Sequence, residues 1–327
     1  MKRFLIFRVG GVGDTLLLLP FISALRETYS EAYLEFIGYP ERIQIFKDFG
    51  YVNEIKSFDQ LGMSSFFVKE SNLPEKLVKY FGKFDIIFAF LKDEEEIFKK
   101  NLQKWGLKDF YLFSPYPYGN MHILDYYNNL IHYLGLKNSQ TKTFFLQRHK
   151  NQTRYHLRGD NSDNSIAIHP GAGSKKKCWP AKYFAEIIDW LEKKHIMKTL
   201  LISGPADENT TREVVSHLEK TKPEIIRNRT LSELALLFNH CSLYLGNDSG
   251  ITHLAAFTGI PTVAIFNQEN AKIWSPQGRN VHLCVSNDLE NISPLVVKEK
   301  IKQLIPAIKK NDYSKMSLRG APHILSL

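Results

Sequence analysis

Three glycine-rich turns in this 327-residue chain each follow a short apolar run and open into a helical pattern. That is how a parallel sheet offers backbone N–H groups and side chains to a ligand. The first reads Gly10-Gly11-Val12-Gly13-Asp14. It lacks the third glycine of a dinucleotide fingerprint, and Asp14 places an anion where a pyrophosphate would seek the positive helix end. Asp14 is suited instead to act as a general base, with Gly11 and Gly13 leaving room for a bulky acceptor. Capping the helix is the other reading, and spacing alone leaves both open.

The second turn runs from His169-Pro170-Gly171 through Gly173-Ser174 and three lysines to Lys177-Cys178-Trp179-Pro180. Small residues expose backbone N–H groups, Ser174 adds a hydroxyl, and lysine supplies charge for a diphosphate. Pro180 suits the first turn of the next helix, so Lys177 stands nearest its start and the other two lysines read as solvated. In Gly204-Pro205-Ala206-Asp207-Glu208, Asp207 is expected to cap a helix, and Glu208 is the better candidate for a ribose diol. The third turn, Gly246 to His253, offers Asp248 to sugar hydroxyls and Ser249 and Gly250 as N–H donors at a helix N-terminus. His253 either faces the site or packs inside.

The elements that must position these residues alternate. Strands are expected over 4–9, 33–38, 52–58 and 85–90, then over 166–169, 199–203, 243–246 and 262–266, with helices near 181–194, 207–220, 231–239 and 250–258. Apolar strands separated by helix-length segments predict an α/β protein with mainly parallel sheets. The polar stretch 138–164 is the expected linker, dividing the chain into domains 1–150 and 151–327. The last segment, 292–310, is expected to be a helix bent or broken at Pro306, and one that could pack back on the first domain.

Apolar residues form 43% and charged residues 24% of the chain, as in an ordinary folded protein. No apolar run approaches the roughly 20 residues of a membrane span. The opening Met-Lys-Arg and the strand-like stretch after it lack a signal-peptide cleavage pattern, so a cytoplasmic location is expected. Three scattered cysteines argue against a disulfide framework or a zinc site. A net charge of +9 implies an anionic partner, and charge alone does not choose among nucleic acid, a lipid surface or an acidic substrate. No helix-turn-helix or aromatic-basic RNA motif supports nucleic acid. No DxD pair marks a metal-held diphosphate, and the acidic run Asp93 to Glu96 reads as a solvated helix start.

In this order the motifs resemble those of the ADP-heptose:lipopolysaccharide heptosyltransferase family. The matching residues are Arg8, Gly13-Asp14 and Pro20; His169-Pro170-Gly171 with Lys177-Cys178-Trp179-Pro180; Gly204-Pro205 with Glu208; Leu231-Ser232-Glu233-Leu234; and Asp248-Ser249-Gly250 with His253-Leu254-Ala255-Ala256. The resemblance implies a GT-B fold, two Rossmann-like domains facing across a cleft, with the acceptor on the first and the nucleotide sugar on the second. It further implies inverting transfer of heptose to the lipopolysaccharide inner core without metal or other cofactor. Asp14 would then be the base and Lys177 the diphosphate counter-charge. Glu208 would hold the ribose, Asp248 the heptose hydroxyls, and Gly173, Ser174, Ser249 and Gly250 the phosphates. Leu231 would lie near adenine, or equally in the core. An anionic glycolipid acceptor implies peripheral contact with the inner face of the cytoplasmic membrane. One departure is Asn267-Gln268-Glu269 after Phe266, where the family usually has a Gly-Pro-Thr type turn. A GT-B nucleotide-sugar epimerase and a heptosyltransferase acting on protein hydroxyls are the alternative readings.

Overall fold

A computed structural model describes residues 1–304 apart from 70, 71, 73, 105, 108, 138–163, 195 and 279. The first half contains β1 (Arg3–Arg8), α1 (Val12–Leu16), α2 (Leu19–Thr28), β2 (Tyr33–Gly38), α3 (Pro40–Asp48), β3 (Glu54–Ser57), α4 (Glu75–Phe81), β4 (Ile86–Phe90), α5 (Ile97–Lys104), β5 (Phe110–Phe113) and α6 (Ile123–Tyr133). The second contains β6 (Ser165–His169), α7 (Ala181–Lys193), β7 (Lys198–Ser203), α8 (Glu208–Ser216), β8 (Glu224–Arg227), α9 (Leu231–Phe238), β9 (Leu243–Asn247), α10 (Gly250–Thr258), β10 (Thr262–Asn267), α11 (Gln268–Trp274) and β11 (Val281–Ser286). A final helix, α12, covers 294–304.

The strands form two sheets, ordered β3-β2-β1-β4-β5 and β11-β10-β9-β6-β7-β8, and all their pairings are parallel. Each sheet runs outward from its first strand to one edge and then crosses over, placing its fourth strand beside the first. The chain reverses direction of travel between β1 and β4 and between β6 and β9. In open parallel sheets ligands bind at that reversal, beyond the carboxyl ends of the strands. The turns after β1, β6 and β9 are the ones singled out by their glycines.

Alternation along the strands sorts the core. Phe4 and Ile6 of β1 face one way, Leu5 and Phe7 the other. In β6, Ala167 faces the first cluster, whereas Ile166 and Ile168 join Trp179, α7 and α12 on the far side. The cluster containing Phe4 continues through α2, α3 and α6 to Leu231, Leu234, Phe238 and Leu254 of α9 and α10. The two halves therefore share one apolar core, reinforced by a Ser232 hydroxyl bond to Asp48 Oδ2 (2.5 Å). His122, at the start of α6, also reaches Ser275 O through Nε2 (3.0 Å) and receives Gln277 Nε2 at Nδ1 (3.1 Å).

The expected strands are present, the edge strand β3 among them, but β5, β8 and β11 are not expected from the sequence. All three are edge strands. An edge strand needs no continuous apolar run, because only part of it is covered. Within 292–310 the described helix, 294–304, buries Val297, Ile301 and Leu304 against the second sheet. Pro306 lies outside the described residues, as do 138–163 and with them the proposed domain boundary. Among the described residues no helix is long and apolar enough to cross a membrane.

The N-termini of α1 and α10 meet where the halves face each other. A Cβ on Gly250 would lie 2.6 Å from Gly13 N and from Val12 Cγ1. In an isolated helix, glycine to alanine gains about 1 kcal/mol. Here Gly250→Ala is expected to lose about 1–3 kcal/mol by overpacking, measured by urea unfolding, and a gain in stability would contradict this contact.

Candidate active site

Asp14 sits in the first turn of α1 and does two things at once. Its Oδ2 accepts the Gly11 N–H (3.0 Å), closing the turn, while Oδ1 lies 3.7 Å from Arg8 Nη2. Capping and an available second oxygen therefore coexist, and the side chain keeps 30% exposure. Arg8 is buried at the end of β1, donates Nη1 to Phe90 O (3.4 Å), and faces the Tyr116 ring at 5.7 Å. Its Nε has no hydrogen-bond partner among the described residues. Gly11 is exposed, and Arg42 binds the Gly10 carbonyl. Gly13 does not face an open acceptor space: a Cβ there would stand 3.4 Å from His253 Cδ2 and 3.5 Å from Gly250 Cα.

Across that contact, Lys177 Nζ pairs with Asp248 Oδ2 at 2.9 Å, and Asn270 Nδ2 donates to the same oxygen (2.8 Å). Asn270 belongs to α11, which starts directly after β10 because Asn267 caps it by accepting Glu269 N–H (2.9 Å). The departure at Asn267-Gln268-Glu269 thus builds a helix whose third residue reaches the site. Gly173 and Ser174 are exposed, with open space beside Gly173. Ser174 begins the 3-10 turn that carries Lys177.

His253 occupies the middle. It is 4% exposed, and burial drives its pKa down to about 4. Asp248 and Asp14 oppose that drop, while His122 and Lys177 add to it. A Cβ on Gly13 would stand 3.4 Å from His253 Cδ2, so this neutral imidazole lies where the two halves meet.

Below the surface the turns after β6, β7 and β9 are tied together. Asn247 Nδ2 donates to Pro170 O (2.7 Å), and its Oδ1 accepts Trp179 N–H (3.0 Å). Trp179, 1% exposed, anchors the lysine turn through Nε1 to Ile292 O (2.8 Å). His169 lies 3.1 Å from Asp207 Oδ2 through Nε2 and 3.3 Å from Ser249 Oγ through Nδ1.

Asp207 departs from its expected role. It occupies the N-cap position of α8 but makes no side-chain bond to the helix, turning back instead to Gly204 N–H (3.1 Å) and His169. Burial pushes its carboxyl up, yet the contact with His169 and the Gly204 bond outweigh burial and leave it below the usual range. A Cβ on Gly171 would collide with this carboxylate. Glu208 is 57% exposed, 3.9 Å from Arg212. Leu231 is 8% exposed within the shared core, which favours the packing reading over the adenine one.

The family model for glycosyltransferase family 9 (heptosyltransferase) matches residues 111–305. The chain belongs to this family. Among its relatives is lipopolysaccharide heptosyltransferase 3 of Escherichia coli K12, 22% identical over 288 residues, spanning 82% of this chain and 83% of that one. The family 9 glycosyl transferase from Veillonella parvula superposes with a TM-score of 0.75 at 19% identity, over 94% of this chain and 97% of that one. The E. coli heptosyltransferase WaaC with ADP gives 0.69 at 16% identity, over 93% and 100%. The fold is GT-B, and this family 9 chain is a glycosyltransferase.

Sequence motifs located Asp14, Lys177, Asp248 and His253, which the fold gathers. They gave no role to Arg8, His169 or Asn247, and Asn270 carried no local signal. Among the described residues no group of three or more His, Cys, Asp or Glu is arranged to hold a metal.

The depressed His253 pKa has a definite sign. The unfolded state, at about 6.5, binds a proton that the folded state refuses until about 4. The stabilisation is therefore complete above pH 6.5 and lost as pH falls toward 4, worth roughly 3 kcal/mol. His253→Gln should flatten the fall in urea-unfolding free energy between about pH 7 and pH 4.5. An unchanged slope would remove His253 as its source.

Proposed function

We propose that this glycosyltransferase moves heptose from ADP-heptose to a sugar hydroxyl of the lipopolysaccharide inner core, with inversion and without a metal. The observation that carries the reading is the contact of the α1 and α10 N-termini beside His253, which sets the turn bearing Asp14 against the one bearing Asp248 and its partner Lys177. The donor is assigned to the second half and the acceptor to the first, on either side of a boundary near residue 150.

The chemistry follows from the side chains. An acceptor hydroxyl oxygen attacks the anomeric carbon and its proton passes to Asp14 Oδ1, the oxygen not committed to Gly11. The bond between that carbon and the β-phosphate oxygen breaks on the opposite face, and ADP leaves with the electron pair. Lys177 opposes the charge gathering on the diphosphate. Gly173 and Ser174 in the lysine turn, with the backbone N–H groups of Ser249 and Gly250 at the start of α10, are assigned to the phosphates. Both bonds to Asp248 fall on Oδ2, leaving Oδ1 for heptose hydroxyls. Glu208, exposed on the first turn of α8, is assigned to the ribose. The neutral state of His253 suits it to hydrogen-bond a sugar without adding charge. Leu231 is assigned to the core.

A net charge of +9 supports an anionic glycolipid acceptor and peripheral contact at the inner face of the cytoplasmic membrane. Binding to anionic liposomes should then weaken as salt rises, and salt-insensitive binding would count against that attachment.

The deciding assay supplies ADP-heptose with and without heptose-deficient lipopolysaccharide and follows ADP release and glycolipid mass. Heptose addition only with acceptor, undiminished by EDTA, is expected. Asp14→Asn should lower turnover about 10²–10⁴-fold with ADP affinity nearly intact. Turnover of donor without acceptor would favour an epimerase. Near-normal activity of the variant would take the base role from Asp14.

A further inference from the structure

His169 is 2% exposed and joins two turns that the proposed reading assigns to the diphosphate or its surroundings. For a neutral His169 ring the hydrogens of its network can be placed by elimination. A carboxylate only accepts, so the 3.1 Å contact with Asp207 Oδ2 puts a hydrogen on His169 Nε2. In a neutral imidazole Nδ1 is then an acceptor. Its neighbour, 3.3 Å away, is Ser249 Oγ.

Ser249 Oγ also receives Thr252 N–H (3.3 Å) and lies 3.2 Å from Thr252 Oγ1. The Thr252 hydroxyl hydrogen is committed to Asn247 O, so the Tyr244 hydroxyl, 3.0 Å away, donates to Thr252 Oγ1. Nδ1 of the neutral ring needs a donor, and the Ser249 hydroxyl supplies it in preference to turning toward Thr252 Oγ1. One order then satisfies every group: Asp207 accepts from His169, His169 accepts from Ser249, and Ser249 accepts from the Thr252 amide in the first turn of α10.

We infer that His169 is a positioning residue for the diphosphate subsite, held by Asp207 in its Nε2–H form so that Nδ1 takes the Ser249 hydroxyl hydrogen and fixes the N-terminus of α10. This rests on the assignment of Ser249 and Gly250 to the phosphates. With the hydrogen directed at His169, the Ser249 oxygen keeps its lone pairs for Thr252 N–H, and the Gly250 N–H remains presented to an anion. Gly171 belongs to the same device, since only a residue without Cβ leaves the Asp207 carboxylate in place. His169 touches no reacting atom; it acts through Ser249.

The test uses the full chain labelled with 15N-histidine, with His169 assigned by the signal lost in His169→Asn. The wild type should show a bare Nδ1 and a protonated Nε2, and Asp207→Ala should convert this to a mixture of the two neutral forms. ADP titration should give about tenfold weaker binding for Asp207→Ala and for His169→Ala, with the double variant no worse than either single. His169→Asn, whose Oδ1 replaces Nδ1 as acceptor, should recover most of that loss. A protonated Nδ1 in the wild type, wild-type ADP affinity in a folded His169→Ala, or no recovery by asparagine would overturn the inference. If the wild type binds no ADP, the functional reading falls by itself. The ring-nitrogen signals and Thr252 amide exchange, expected to quicken about tenfold in His169→Ala, are read without nucleotide and still decide the role of His169.

Discussion

The contact between the N-termini of α1 and α10 is the constraint on which the rest of the arrangement depends. Two helix starts carry partial positive charge toward each other, and they approach until a single methyl group on Gly250 would overlap the backbone of Gly13. Such closeness needs acidic groups beside each start, and both helices have one: Asp14 in the first turn of α1 and Asp248 just before α10. The same carboxylates are those the chemistry requires. The contact that joins the halves therefore also brings the base near the donor residues.

Behind this contact the support is polar on one side and apolar on the other. Asn247, fully buried, spans from Pro170 O to Trp179 N and sets the spacing between the turns after β6 and β9. Trp179 converts the lysine turn into part of the core by burying its ring and spending its N–H on Ile292 O. Without such anchors an exposed turn bearing three lysines would repel itself and lose its shape. On the other side the apolar cluster shared by α2, α3, α9 and α10 holds the halves in a common frame.

Charge is distributed with the same economy. Lys177 and Asp248 neutralise one another, Asn270 completes the acceptor demand on Oδ2, and His253 stays uncharged through burial. A second cation at the position of His253 would compete with Lys177 for Asp248 in a poorly hydrated space. Arg8 occupies the corresponding place under Asp14, its charge spread between the Phe90 carbonyl, the Tyr116 ring and the carboxylate.

What the sequence determined by itself is local. Strands buried on both faces need continuous apolar runs, so β1, β4, β6 and β9 declared themselves; glycine turns after them marked the ligand end, and Asp14, Lys177, Asp248 and His253 were named from those turns. Edge strands β5, β8 and β11 did not, since partial burial imposes a weaker pattern. Tertiary structure decided the partners. Asp207 looks like a helix cap to its neighbours in sequence, but it bonds to His169 from another strand and not to the amides of α8. Glu208 was placed outside and Leu231 inside by how α8 and α9 lie on the sheet. Asn270 reaches Asp248 only because β9, β10 and α11 are adjacent in space. A hydrogen bond between distant residues depends on the register of whole elements, and no window of sequence contains that distance.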